Sequence, residues 1–255
     1  SLDTLLWMQT HGVRFIPNHG RQSFVVEGKH RFWGGLTVEV SGGGAGLMES
    51  LFARAKRLGI EMRYDHKVVE LLWQEGQAAG VVAMHEGRRV ELGAGAVVLA
   101  AGGFHANAEW RARSLGPNWA LARPRGSPYN TGLVITAALS QGARAAGHWS
   151  GCHSVFYDAN APEFGDPNLL NQQKNYYSLG IVVNALGERF VNEGLNFRNY
   201  TYSRMGAEIL KQPGARGWQL FDATTEALLP DEYRVRHATR IRGDSIEALV
   251  AQLEG

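Results

Sequence analysis

The first apolar positions, Leu2, Leu5, Leu6 and Met8, recur at helical spacing and predict a short helix stopped by Gly12. Residues 13–39 alternate short β-prone pieces, 23–26 and 31–33, with turn formers, and read as extended arms rather than core. SGGGAG at 41–46 opens a firmer pattern. Leu47, Leu51, Ala55 and Leu58 recur along one helical face, and Gly59 closes it. Strands are expected at 60–64 and 67–73. Glu75-Gly76 and Glu86-Gly87 then separate two further β-prone runs, 79–85 and 89–92, which predicts a three-stranded antiparallel meander.

The run 96–101 is continuously apolar, the pattern of a strand buried on both faces of a parallel sheet. Gly102-Gly103 ends it, either as a tight strand-to-helix turn or as a place where a ligand approaches bare backbone. Helices are expected at 107–115 and 131–141, separated by a loop rich in Pro, Gly and Arg; GARAAG at 142–147 reads as a strand. Beyond residue 148 comes a long polar loop, 151–173. Strands at 179–184 and 189–191 follow, then a helix at 199–211, a strand at 218–221 and helices near 224–229 and 245–253. The fold class is α/β plus α+β, with a domain boundary between 147 and 148 and no internal repeat.

Composition narrows the function classes. A net charge of +2 without any Lys/Arg block excludes a nucleic-acid partner. Cys152 is the only cysteine, which rules out an intramolecular disulfide and a cysteine-rich metal site; no metal is expected, and a cytoplasmic setting fits. No apolar run approaches the roughly 20 residues of a membrane span, and no basic n-region marks a signal peptide. The start lacks Met, and both ends read as cut.

The order of these motifs resembles the FAD-dependent fumarate reductases and succinate dehydrogenase flavoproteins. A glycine-rich helix start, a valine-bearing strand, a meander and an Ala-Gly-Gly turn follow one another as they do there. The resemblance implies FAD contacts at Gly43, Gly44, Ala45, Val68, Ala100, Ala101, Gly102 and Gly103. It extends to Thr131 and Gly132, where the family reads Thr-Gly-Asp-Gly and this chain lacks the acidic residue. IVVNALGERFVNEG matches the family's hairpin at Asn184, Gly187, Arg189, Phe190, Asn192 and Glu193, most of which are expected to be structural. The implied fold is a partial FAD-binding (Rossmann-like) domain with a β-meander, 1–147, lacking its G-x-G-x-x-G unit, followed by part of a fumarate reductase-type capping (catalytic) domain, 148–255.

The same resemblance implies two catalytic residues. Arg198, just past the hairpin, stands near the family's proton-transferring arginine, one residue further along; the bland alternative is a surface ion pair. His153, with His148 as a competitor, stands where the family binds a substrate carboxylate. Arginine is an unusual base, since its ordinary pKa exceeds about 12. The upstream Glu-x-x-Arg relay is replaced by Gln173-Lys174-Asn175-Tyr176, which disfavours fumarate.

FRNYTYSRMG at 197–206 and the segment 20–36 look like the FAD-dependent tricarballylate dehydrogenase subgroup. The expected reaction is dehydrogenation of a small polycarboxylate, tricarballylate to cis-aconitate, with hydride transfer to the flavin N5. Arg21, Lys29, His30 and Arg31 are available to a third carboxylate, or form a solvated strand edge. An electron-acceptor protein is a possible partner. The rivals are a fumarate reductase, an L-aspartate oxidase, a 3-ketosteroid dehydrogenase, or a non-catalytic carboxylate-binding fragment. The chain alone is expected to hold FAD weakly or not at all and to be inactive.

Overall fold

The computed structural model describes residues 2–32, 36–166 and 172–253. The expected strand end at Trp33 and the loop portion 167–171 lie outside them, as does the side chain of Arg21. The chain divides into two units, residues 1–65 and 66–255, so the boundary expected near 148 falls inside the second.

The first unit runs α1 (Leu2–Thr10), β1 (Phe15–Pro17), α2 (His19–Gln22), β2 (Ser23–Val26), β3 (Lys29–Phe32), β4 (Val38–Val40) and α3 (Gly43–Arg57). β1 pairs antiparallel with β4, and β2 with β3 across the Glu27-Gly28 turn. Helix α3 ends in a Schellman motif: Gly59 N–H donates to Lys56 O and Ile60 N–H to Ala55 O, with Gly59 left-handed. The strand expected at 60–64 does not form. Ile60 and Tyr64 are exposed, and no strand among the described residues pairs with them.

The second unit opens with the expected meander, β5 (Lys67–Gln74), β6 (Gln77–His85) and β7 (Arg88–Gly93), in the order β5-β6-β7. Both turns place a Glu-Gly pair at positive φ, 50° and 80° at Glu75-Gly76 and 49° and 75° at Glu86-Gly87. That twist matches the twist of the flanking strands. Val82 and Ala83 on the central strand are fully buried. Helix α4 (Ala108–Leu115) is capped by Asn107, whose Oδ1 accepts the Trp110 N–H at 3.0 Å, and α5 (Leu133–Ser140) lies against β5.

The apolar run 96–101 is the main departure. It belongs to no ladder; Val98 is 89% exposed and Leu99 is exposed too. No parallel pairing exists among the described residues, and a strand is defined only by its partner. GARAAG at 142–147 is irregular for the same reason.

Further on, β8 (Ile181–Val183) pairs antiparallel with β9 (Trp218–Leu220), while the strand expected at 189–191 shrinks to one bridge, Val183 to Arg189. The helix expected at 199–211 is broken into α6 (Arg198–Thr201), a 3-10 turn (Tyr202–Arg204) and α7 (Met205–Ile209). The break has a visible cause: Ser203 O accepts the Ser154 N–H at 2.7 Å, and Gly206 N–H turns to Ser154 O at 3.1 Å. Short helices α8 (Ala223–Glu226) and α9 (Ile246–Leu253) complete the chain. The core here is Phe156, Tyr177, Val182 and Met205, with Phe190, Val191, Tyr202 and Ile209 around it. No helix among the described residues is long and apolar enough to cross a membrane, and none of their His, Cys, Asp and Glu side chains cluster as a metal site.

Candidate active site

In the first unit, the glycine turn before α3 exposes backbone. Gly42 and Gly43 are left-handed, and the helix N-terminus has no side-chain cap. A Cβ added at Gly43 or Gly44 meets nothing within 4 Å, whereas one at Gly46 would lie 2.0 Å from Ser41 O. Gly46 is therefore needed for packing. Gly43, Gly44 and the exposed Ala45 instead present free space and uncapped N–H groups, the features a phosphate or flavin oxygen requires.

In the second unit, the Gly102-Gly103 and Thr131-Gly132 turns lie side by side, joined by the Gly132 N–H to Gly103 O bond at 3.1 Å. Asn107 Nδ2 donates to Thr131 O at 3.3 Å and fixes the pair from the α4 side. Gly132 has φ of 80°, and a Cβ there would stand 2.0 Å from Trp110 Cζ3. Gly103 is open, as are Gly43 and Gly44, while Gly102 is closed by Asn130 Oδ1. A cavity of ≈ 310 Å³ adjoins this turn, walled by Leu99, Ala101, Gly102, Val134, Ile135 and Trp149 among others. Ala100 is exposed, and Val68 sits half-buried on β5 opposite Ala83. Within the second unit, the open Gly103 and the apolar wall fit a flat, partly apolar group held by main-chain contacts.

The hairpin motif serves itself. Asn184 Oδ1 accepts the N–H groups of Leu186 and Glu188, at 2.9 and 3.0 Å, and its Nδ2 donates to Gln212 Oε1 at 3.1 Å. Glu193 is buried: Oε1 accepts the Val182 N–H at 2.6 Å, and Oε2 pairs with Arg189. Burial pushes the Glu193 carboxyl up, but Arg189 and the Val182 N–H outweigh it and hold the group below its ordinary range. These residues anchor the chain segment that leads to α6.

Arg198 opens that helix. Its guanidinium lies over the Tyr176 ring, 4.5 Å from the centroid, and its Nη2 reaches Asn199 Oδ1 at 3.3 Å. No carboxylate among the described residues pairs with it. Its helical turn is pinned from inside by Thr201, whose Oγ1 bonds the Tyr177 hydroxyl at 2.5 Å and donates to Arg198 O at 3.3 Å. His153 stands edge-on to Tyr202, with centroids 5.1 Å apart, on the segment zipped to Ser203 and Gly206. Tyr202, four residues after Arg198, begins the 3-10 turn that directly follows α6. The two expected catalytic residues are therefore carried by neighbouring segments. His148 bonds Ser150 within its own loop, at 3.0 Å.

The aromatic surround of Arg198 escapes sequence reasoning. In the sequence Tyr176, Tyr177, Tyr200 and Tyr202 stand out only as tyrosines that keep a steroid substrate open, with nothing to place them around Arg198. Tyr233, 57 residues away, is buried; its Oη accepts the Tyr176 N–H at 2.9 Å and donates to Gln219 Oε1 at 2.7 Å.

A family model described as "FAD binding domain" matches residues 1–255. Among curated proteins, the chain is 26% identical over 226 residues to the probable fumarate reductase Ifc3 of Shewanella frigidimarina, covering 87% of this chain and 35% of that one. It is 25% identical over 210 residues to a 3-oxosteroid 1-dehydrogenase of Mycobacterium tuberculosis, covering 76% and 36%. Among solved structures, the open conformation of a flavocytochrome c3 fumarate reductase superposes with a TM-score of 0.70 at 24% identity, over 99% of this chain and 42% of that one. The chain thus spans about a third of the length of the curated relatives it matches, and its mixed α/β fold is that of the fumarate reductase flavoprotein. With the matched model covering its whole length, the chain belongs to the FAD binding domain family, whose cofactor is FAD.

Proposed function

We propose that the protein is a flavin-dependent oxidoreductase that dehydrogenates a small polycarboxylate, with tricarballylate as substrate and cis-aconitate as product. The observation that carries this reading is the state of Arg198. It is a half-buried cation at the start of a pinned helix, resting on an aromatic face and neutralised by no carboxylate among the described residues. An arginine held in that way is available to an anionic substrate. His153, on the adjoining segment, supplies a second polar contact.

In this reading residues 1–147 contribute to the FAD-binding half and 148–255 to the capping half, in a cytoplasmic enzyme served by an electron-acceptor protein. Gly43, Gly44, Ala45 and Gly103 would hold FAD through their open backbone; Val68, Ala100, Ala101, Gly102, Thr131 and Gly132 would shape its surroundings. Bound FAD supplies the hydride acceptor. Arg198 and His153 grip substrate carboxylates and fix the carbon–carbon bond to be oxidised, and Arg198, once its guanidinium has given up a proton to solvent, removes the proton from the carbon next to the one that loses hydride.

Two observations favour a second reading, a 3-ketosteroid dehydrogenase. Tyr176, Tyr177, Tyr202 and Tyr233 crowd the same place, and a 3-oxosteroid 1-dehydrogenase is among the relatives. Steady-state turnover of the full-length, FAD-loaded protein with tricarballylate, succinate and a 3-ketosteroid separates the two. The proposal expects tricarballylate to give the highest kcat/KM; turnover of the steroid alone would replace it with the second reading.

A further inference from the structure

Tyr176 occupies the last position of the Gln173-Lys174-Asn175-Tyr176 window. Its ring lies beneath the Arg198 guanidinium at 4.5 Å, inside the range in which a cation is drawn to the face of an aromatic ring. The ring is itself held fast. The Tyr176 N–H donates to Tyr233 Oη at 2.9 Å, and the two rings meet nearly at right angles, 80°, with centroids 6.3 Å apart. Tyr233 is buried and tied to Gln219, whose Nε2 donates in turn to Lys174 O at 2.6 Å. The platform beneath Arg198 is thus a braced assembly from three separate segments of the second unit.

Resting on the reading of Arg198 given above, we propose that Tyr176 is its positioning residue: the ring face holds the guanidinium in place without neutralising it. A carboxylate at this position would orient the arginine equally well, but it would compete with the substrate for the same charge. An aromatic face is neutral and takes up none of the guanidinium N–H donors, one of which, on Nη2, reaches Asn199 Oδ1. Tyr176 therefore strengthens the carboxylate grip of Arg198.

The test is a double-mutant cycle in the full-length, FAD-loaded protein, read as the Kd for tricarballylate and as kcat and KM. Tyr176→Leu is expected to weaken binding about tenfold, and Tyr176→Phe, which keeps the ring, to restore it. In Arg198→Ala the Tyr176→Leu change should have no further effect, because the pair acts as one unit. A readout independent of turnover comes from NMR of arginine-labelled protein. The Arg198 δ-methylene should show an upfield ring-current shift in the wild type and in Tyr176→Phe. Additive effects in the cycle, or the absence of that shift in the wild type, would overturn the proposal for Tyr176. If Arg198→Ala itself leaves Kd and turnover unchanged, the reading of Arg198 falls instead.

Discussion

Glu193 is buried five residues before Arg198, and its contribution to stability divides into two parts that mutations can separate. One oxygen accepts the Val182 N–H at 2.6 Å, where Val182 is only 1% exposed; the other pairs with Arg189, whose side chain is 57% exposed. Losing an acceptor from a buried N–H costs about 1–3 kcal/mol. An ion pair with one partner largely in water is worth no more than about 1 kcal/mol after solvent screening. Glu193→Ala should therefore cost about 2–3 kcal/mol. Glu193→Gln keeps a carbonyl acceptor and should cost about 1 kcal/mol, and Arg189→Ala less than that. Urea unfolding of the three variants gives these values, and exchange of the Val182 amide reports the bond directly. The amide should exchange much faster in Glu193→Ala and nearly normally in Arg189→Ala. An Arg189→Ala cost as large as that of Glu193→Ala would refute the division, because the ion pair would then dominate.

Three further outcomes are expected. Gly132→Ala forces a Cβ to 2.0 Å from the Trp110 ring at a φ of 80°, so it should cost more than about 2 kcal/mol and lower Tm; an unchanged Tm would mean that the indole is not seated there. A Cβ at Gly44 meets nothing within 4 Å, so Gly44→Ala should fold normally while weakening FAD binding, and unchanged, stoichiometric flavin after desalting would remove Gly44 from the cofactor site. Asp158 gives a pH signature. Burial pushes its carboxyl up, but bonds from the Thr239 side chain and from the Asn160 and Thr239 N–H groups outweigh this, with Lys174 adding to them, so the group sits below its ordinary range. Burial lowers Lys174 despite the pairing, which assigns the effect mainly to the Thr239 and Asn160 bonds. A lowered carboxylate stabilises the fold above its unfolded pKa of about 3.9 and stops doing so as pH falls through the folded value. The stability gap between wild type and Asp158→Asn should accordingly narrow below about pH 4; a gap that widens there would reverse the assignment.

Legibility in the sequence followed the range of the interactions. The meander turns at Glu75-Gly76 and Glu86-Gly87, the Asn107 cap and the Gly59 stop are local, and each stands where residue type alone puts it. The run 96–101 reads as a strand because its residues are apolar. A ladder is made by two segments, however, and no described segment pairs with this one. The helix broken at Tyr202–Arg204 failed for a related reason, since nothing near it in sequence announces that Ser154 claims the Ser203 carbonyl. The site divides in the same way. Arg198 and His153 stood out by their place after and before the hairpin, and the structure carries them on adjoining segments. The Tyr176–Tyr233 platform was invisible because it joins positions 57 residues apart.

The central claim is that Arg198 handles an anionic substrate beside a flavin. Anaerobic mixing of the full-length, FAD-loaded protein with tricarballylate tests it most directly, following flavin bleaching and the cis-aconitate formed. The account predicts bleaching with one cis-aconitate per flavin, slowed at least about a hundredfold in Arg198→Ala. Bleaching by a 3-ketosteroid but not by tricarballylate, or an undiminished rate in Arg198→Ala, would contradict it.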